Sequence, residues 1–128
     1  DFVSDENLFN YQAKIIKELA ERESCIIVGR CADYVLKDRE NVARVFVWAP
    51  MESCIKNVMA LEQLNEKEAE REIKKIDRYR REYYRYYTGK EWDDYTNYEL
   101  CLNSALLGFE KCSACIKSFV EIKLDITL

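Results

Sequence analysis

The residues best suited to chemistry are arginines, and they lie close together. Between positions 71 and 90 stand eight Lys/Arg against three Asp/Glu, a local charge of +5 that leaves −9 on the rest of a chain with net charge −4. Arg78, Arg80, Arg81 and Arg85 fall in this island together with Asp77. A guanidinium stays charged and grips phosphate oxygens with a planar fork, so the cluster suits the neutralisation of a small phosphorylated anion. A globally acidic chain is a poor general nucleic-acid binder, because phosphate contacts drive that affinity. One basic island in an acidic body points to a focused anion site instead.

Cysteine chemistry is the other candidate. Of the six cysteines, only Cys112 and Cys115 have metal-like spacing, and the chain has no second pair and no His. That spacing is better read as one helix face than as a zinc site. No metal ligand set is therefore expected. Cys25 and Cys101 lie in apolar runs, where a thiol acts as a small hydrophobe. Reduced thiols and a cytoplasmic location are the expectation.

The arginines sit in a long helical pattern. Asn65, followed by Glu68 three places on, predicts an N-cap with its capping-box partner, opening a helix that runs to about Tyr87. At 100° per residue Ala69, Ile73, Ile76, Tyr83, Tyr84 and Tyr87 share a stripe about 100° wide, with Arg80 in its middle and Asp77 just beyond its edge. Arg71, Lys74, Arg78, Arg81 and Arg85 fall on the opposite side. A cation on an apolar face must be paired or face a ligand. Arg80 therefore either pairs with Asp77 or a Tyr hydroxyl, or it meets an anion. The outward arginines form a solvated face unless the helix folds over a site as a lid.

Around this helix the sequence predicts alternating elements. Residues 6–22 carry a broad apolar stripe and read as a helix, and 32–36 as a helical turn. Cys25-Ile26-Ile27-Val28 and Val45-Phe46-Val47-Trp48-Ala49 read as buried parallel strands. Pro50 opens a helix over 51–61, a third apolar run covers 98–102, and a last helix spans about 107–120. This is an α/β pattern, a parallel sheet covered by helices on both faces, in one domain over 1–128. Ligands in such sheets lie outside the carboxyl ends of the strands. Those ends are Gly29-Arg30, Ala49-Pro50 and Asn103-Ser104, and Arg30 is the one charged group among them. The longest uncharged stretch is the ten residues 100–109, against the ~20 that span a bilayer. No membrane role is expected, and nothing in the sequence speaks to oligomeric state.

Taken in order, Cys25-Ile26-Ile27-Val28-Gly29-Arg30, Val45 to Pro50, Asp77-Arg78-Tyr79-Arg80 and Leu100-Cys101-Leu102-Asn103-Ser104 resemble cytidylate kinases. With Tyr83-Tyr84-Arg85-Tyr86-Tyr87-Thr88-Gly89, they most resemble the cytidylate kinase-like family. The resemblance implies a P-loop kinase-type parallel sheet with a helical lid at about 65–95, mobile without ligand. It implies ATP and Mg²⁺ as cofactors and a small-molecule nucleotide as partner. Arg80 and Arg81 would clamp phosphates, with Asp77 orienting the lid arginines or meeting the base. Arg30, Arg78, Arg85, Asn103 and Ser104 would bind substrate.

The chain also departs from the family's pattern. Cys31 stands where cytidylate kinases carry Asp after Gly-Arg, Ile73 where the lid motif carries Arg, and Asn103 where the last strand ends in Asp. These leave the acceptor open. No G-x-x-x-x-G-K-[ST] loop occurs among only three glycines. Because the chain begins at Asp1 rather than Met, the expectation is the carboxyl-terminal portion of such a fold, without its first strand and phosphate loop. Three functions remain: a phosphotransferase, a nucleotide-binding regulator or pseudokinase without turnover, and an interaction module using the Arg/Tyr-rich helix. The coding sequence upstream of Asp1 is expected to specify a strand followed by a glycine-rich loop ending in Lys-[Ser/Thr]. Finding only a start codon or an unrelated domain there would remove the kinase reading.

Overall fold

The computed structural model describes residues 6–128. The apolar residues of helix α1 (Glu6–Arg22) recur every three or four places, and its buried Ile16 packs on Ala32 and Leu36, in and just after the short helix α2 (Ala32–Val35). Ala20, Ile27, Val35 and Val42 close over this core.

Strands β1 (Val45–Trp48) and β2 (Leu100–Asn103) pair in parallel, with Val45 opposite Leu100 and Trp48 opposite Asn103. The register is set from just before the strands. The Glu99 N–H donates to the Arg44 carbonyl at 2.8 Å, and the Arg44 N–H donates to the Glu99 carboxylate at 3.0 Å. Lys123, on the last helix, donates to the same carboxylate and to the Val42 carbonyl, tying that helix to the sheet.

Helix α3 (Met51–Glu62) starts after Pro50, whose fixed φ suits a helix entrance, and packs on helix α4 (Glu66–Thr88). The predicted capping box opens α4. The Glu68 N–H donates to Asn65 Oδ1 at 2.9 Å and the Asn65 N–H to Glu68 Oε1 at 3.0 Å. Gly89 closes it at φ +73°, a left-handed conformation that needs no Cβ clearance. A single 3₁₀ turn (Tyr95–Asn97) leads into β2, and α5 (Ser104–Leu107) and α6 (Phe109–Leu124) complete the chain.

Several expectations need correction. Among the described residues the sheet has two strands, not three. Residues 25–28 make no ladder bonds, and Ile26 and Val28 stand 93% and 87% exposed. A β-branched run becomes a strand only when a neighbour satisfies its backbone, and no described segment lies alongside to do so. Nor do helices cover both faces of the sheet, for Val47, Trp48 and Cys101 remain exposed. The last helix arrives in two pieces because Gly108 turns the backbone at φ +80°. Cys25 and Cys101 are exposed, and the buried thiols are those of Cys31 and Cys112. The fold is thus helix-rich and mixed, around a small parallel sheet. No helix among the described residues is long and apolar enough to cross a membrane.

The capping box generates a stability prediction. Asn65→Ala removes the acceptor of one helix-terminal N–H and should lower unfolding free energy by about 1 kcal/mol in urea titration. An unchanged midpoint would mean that α4 is held by packing alone.

Candidate functional site

The site is built around the turn before α2. Gly29, Arg30 and Cys31 are all left-handed, at φ +71°, +57° and +57°. That conformation costs a residue with a Cβ roughly 1–2 kcal/mol, and backbone strain of this kind gathers at functional sites. Two anchors hold the turn. Ala32 and Leu36 are in the core, and Asp33 accepts a 2.8 Å hydrogen bond from the hydroxyl of Tyr84 on α4, fifty-one residues away. Tyr84 is only 4% exposed.

This junction keeps its protons. Burial, then the hydrogen bond to Asp33, pushes the Tyr84 phenol well above its usual range. Burial, then the Asp33 charge, does the same to the Tyr98 phenol. The Cys31 thiol is pushed up from 9.0 to about 12 by burial and then by Asp33, so it is not a poised nucleophile. Tyr83 is raised chiefly by burial, while the nearby positive charge of Arg30 acts in the opposite direction. Arg30 is exposed, and its charge is felt at Tyr83 in the carboxyl-terminal half of α4.

Along that half of α4 three arginines turn toward one acidic segment or its neighbour on the helix. Arg85 Nε and Nη2 donate to the two carboxylate oxygens of Glu91 at 2.9 and 2.8 Å, a bidentate pair that holds the Glu91 carboxyl below its usual range. Arg81 Nε lies 3.6 Å from Asp93, and Arg80 Nη1 donates to Asp77 at 3.2 Å. The side chains of Arg80, Arg81 and Arg85 are 55%, 45% and 58% exposed. Pairs so open to water are screened by solvent, so an incoming anion can compete with the carboxylates for the guanidiniums.

The expected inward position of Arg80 is corrected here. The apolar stripe is buried at Ala69, Ile73 and Tyr84, but Ile76 and Arg80 between them are open to solvent because no described element covers that stretch. Arg80 takes the Asp77 pairing and stands on the same side as Arg81, above Trp92. Arg78 is elsewhere, lining a shallow depression with Lys75, Ile76, Tyr79 and Glu82.

Asn103 and Ser104 lie at the carboxyl ends of the strands. Asn103 Oδ1 accepts from the N–H groups of Ala105 and Leu106 at 3.0 and 3.2 Å, and Ser104 Oγ donates to the Trp48 carbonyl at 3.3 Å. Their hydrogen bonds thus go to α5 and β1 rather than to the arginines. Sequence reasoning missed Glu91, Trp92, Asp93 and the Asp33–Tyr84 bond. The run Glu91-Trp92-Asp93-Asp94, directly after a basic helix, carried a usable signal of charge complementarity. No group of three His, Cys, Asp or Glu gathers to hold a metal among the described residues.

The buried thiol sets the behaviour in alkali. Its folded pKa lies above its unfolded one, so its contribution is complete below pH 9.0 and is lost as pH rises toward about 12. The urea midpoint should hold to about pH 9 and fall beyond it, with the earliest part of the fall removed in Cys31→Ala. Equal midpoints at pH 8 and pH 10 in the unsubstituted protein would contradict the burial of this proton.

The crystal structure of an uncharacterized protein from Eubacterium ventriosum ATCC 27560 is similar, with a TM-score of 0.73 and 30% sequence identity over 88% of this chain and 62% of that one. The chain therefore spans 62% of the length of that relative. No curated protein matches it. The cytidylate kinase-like family profile matches residues 1–106, and the chain belongs to that family.

Proposed function

We propose that this chain is the carboxyl-terminal portion of a P-loop-type nucleoside monophosphate kinase, a single domain over 1–128 with a lid at about 65–95. The whole protein would move a phosphoryl group from a nucleoside triphosphate to a nucleoside monophosphate or similar small acceptor in the cytoplasm. The observation that carries the reading is the row Arg80, Arg81 and Arg85 along the carboxyl-terminal half of α4, each guanidinium open to solvent and paired with a single carboxylate, Asp77, Asp93 or Glu91. Phosphoryl transfer asks the protein for positioning and charge neutralisation, and a row of exchangeable arginines supplies both.

In this reading Arg80 and Arg81 clamp the transferring phosphate, while Asp77 holds Arg80 ready through its 3.2 Å pair. Arg85 reaches phosphate oxygens after releasing Glu91. Arg30 binds the acceptor from a left-handed turn that fixes its backbone. Asn103 and Ser104 line the carboxyl end of the sheet, and Arg78 meets nucleotide only if α4 rotates. The arginines fit the triphosphate of ATP. Mg²⁺ would arrive with the triphosphate, held by phosphate oxygens and water with one or two protein oxygens; among the described residues no group of three His, Cys, Asp or Glu offers it a site of its own. The run 25–28, unpaired among the described residues, supports this reading, since a further strand would satisfy its backbone.

The test uses the full-length protein with ATP and a panel of nucleoside monophosphates. Diphosphate products are expected, and Arg80→Lys should lower kcat by about tenfold or more, because the ammonium keeps the charge but loses the fork. Nucleotide binding without transfer would favour the regulator. Absence of both would leave the interaction module.

A further inference from the structure

We infer that Trp92 is a positioning residue for phosphate binding, its ring face holding Arg80 and Arg81 side by side toward a phosphate or phosphoanhydride group. The inference rests on the proposed function for what the arginines bind, but not for how they are held.

The guanidinium carbons of Arg80 and Arg81 lie over the Trp92 ring, 5.6 and 6.0 Å from its centroid. Both distances are within the reach at which a ring quadrupole attracts a cation. Two guanidiniums one residue apart repel each other, and an indole face shared between them offsets part of that repulsion. A carboxylate uses up N–H donors, whereas a ring face attracts the cation without taking any, leaving donors for an anion.

The ring is itself fixed. Phe46 of β1 meets it edge to face at 5.3 Å and 76°, and Tyr98 packs on Phe46 at 4.8 Å while its hydroxyl donates to the Trp92 carbonyl. On either side the backbone is pinned. Asn97 Nδ2 donates to the Glu91 carbonyl, and Asp94 accepts from the N–H and the hydroxyl of Thr96 at 2.9 and 2.7 Å. The short segment 91–98 thus carries a rigid aromatic platform from β1 to the arginine row. Its neighbours Glu91 and Asp93 hold Arg85 and Arg81 from the same segment. Trp92 sets where the guanidiniums stand, and the carboxylates neutralise them until an anion arrives.

The experiment compares Trp92→Phe with Trp92→Leu in the full-length protein. Leu keeps an apolar contact for Phe46 but has no quadrupole, whereas Phe keeps a ring face. Two readouts are taken: the order of the arginine Nε–Hε groups by NMR relaxation without ligand, and the affinity for inorganic pyrophosphate. Trp92→Phe should stay within about twofold of the parent in affinity. Trp92→Leu should bind pyrophosphate about fivefold more weakly and show loosened Arg80 and Arg81 side chains. Loss of arginine order in Trp92→Leu, in a protein that does not bind pyrophosphate, would uphold the positioning and overturn the phosphate reading. Unchanged arginine order in Trp92→Leu, or equal losses in both variants, would overturn the positioning itself.

Discussion

One half-buried hydrogen bond organises the candidate site. The hydroxyl of the buried Tyr84 donates to Asp33 at 2.8 Å and joins the first turn of α2 to the carboxyl-terminal half of α4. A hydrogen bond to a charged group of this kind is worth roughly 1.5–3 kcal/mol. The bond therefore dictates where α4 lies against the Gly29-Arg30-Cys31 turn. The surrounding burial and the Asp33 charge keep Cys31, Tyr84 and Tyr98 protonated. From the same helix, Phe9 of α1 stacks on Tyr87 at 4.0 Å, so α1, α2 and α4 meet around one junction.

Fixing α4 at Tyr84 also fixes what its other side presents. Arg80, Arg81 and Arg85 are within one turn of the anchor, and they project toward residues 91–93 with carboxylates in place. The anchor is half-buried and the arginine row is exposed. That contrast separates two roles: the anchor sets position, and the solvent-screened ion pairs can be exchanged. A helix anchored at Tyr84 and carrying exchangeable arginines is what the proposed phosphate clamp needs, since phosphoryl transfer asks the protein for positioning and charge neutralisation. The family match covers α4, which lies within residues 1–106.

Local signals in the sequence were legible, and contacts across it were not. Asn65 with Glu68, the Pro50 entrance and the bounds of α1 followed from neighbours within a few residues, where capping and periodicity act. Cys25-Ile26-Ile27-Val28 misled because strand propensity states what a segment favours, not whether a partner is there to pair with it. Arg80 misled for a related reason. A helical wheel locates a stripe but not what covers it, and the stretch around Ile76 and Arg80 is uncovered. Asp33 and Tyr84 are fifty-one residues apart, and no periodicity connects a phenol to a carboxylate over that distance. The resemblance named the arginines but gave no hint of the Trp92 platform beneath two of them.

Whether α4 and the segment after it act on nucleotide is tested most directly by amide hydrogen exchange of the full-length protein, free and with ATP plus a nucleoside monophosphate. The account predicts that protection rises over residues 74–92 with the nucleotide pair, while residues 12–20 of α1 and the amides of β1 change little. Equal protection of residues 74–92 in the two states would mean that nucleotide does not engage α4 and would contradict its proposed role at the phosphates.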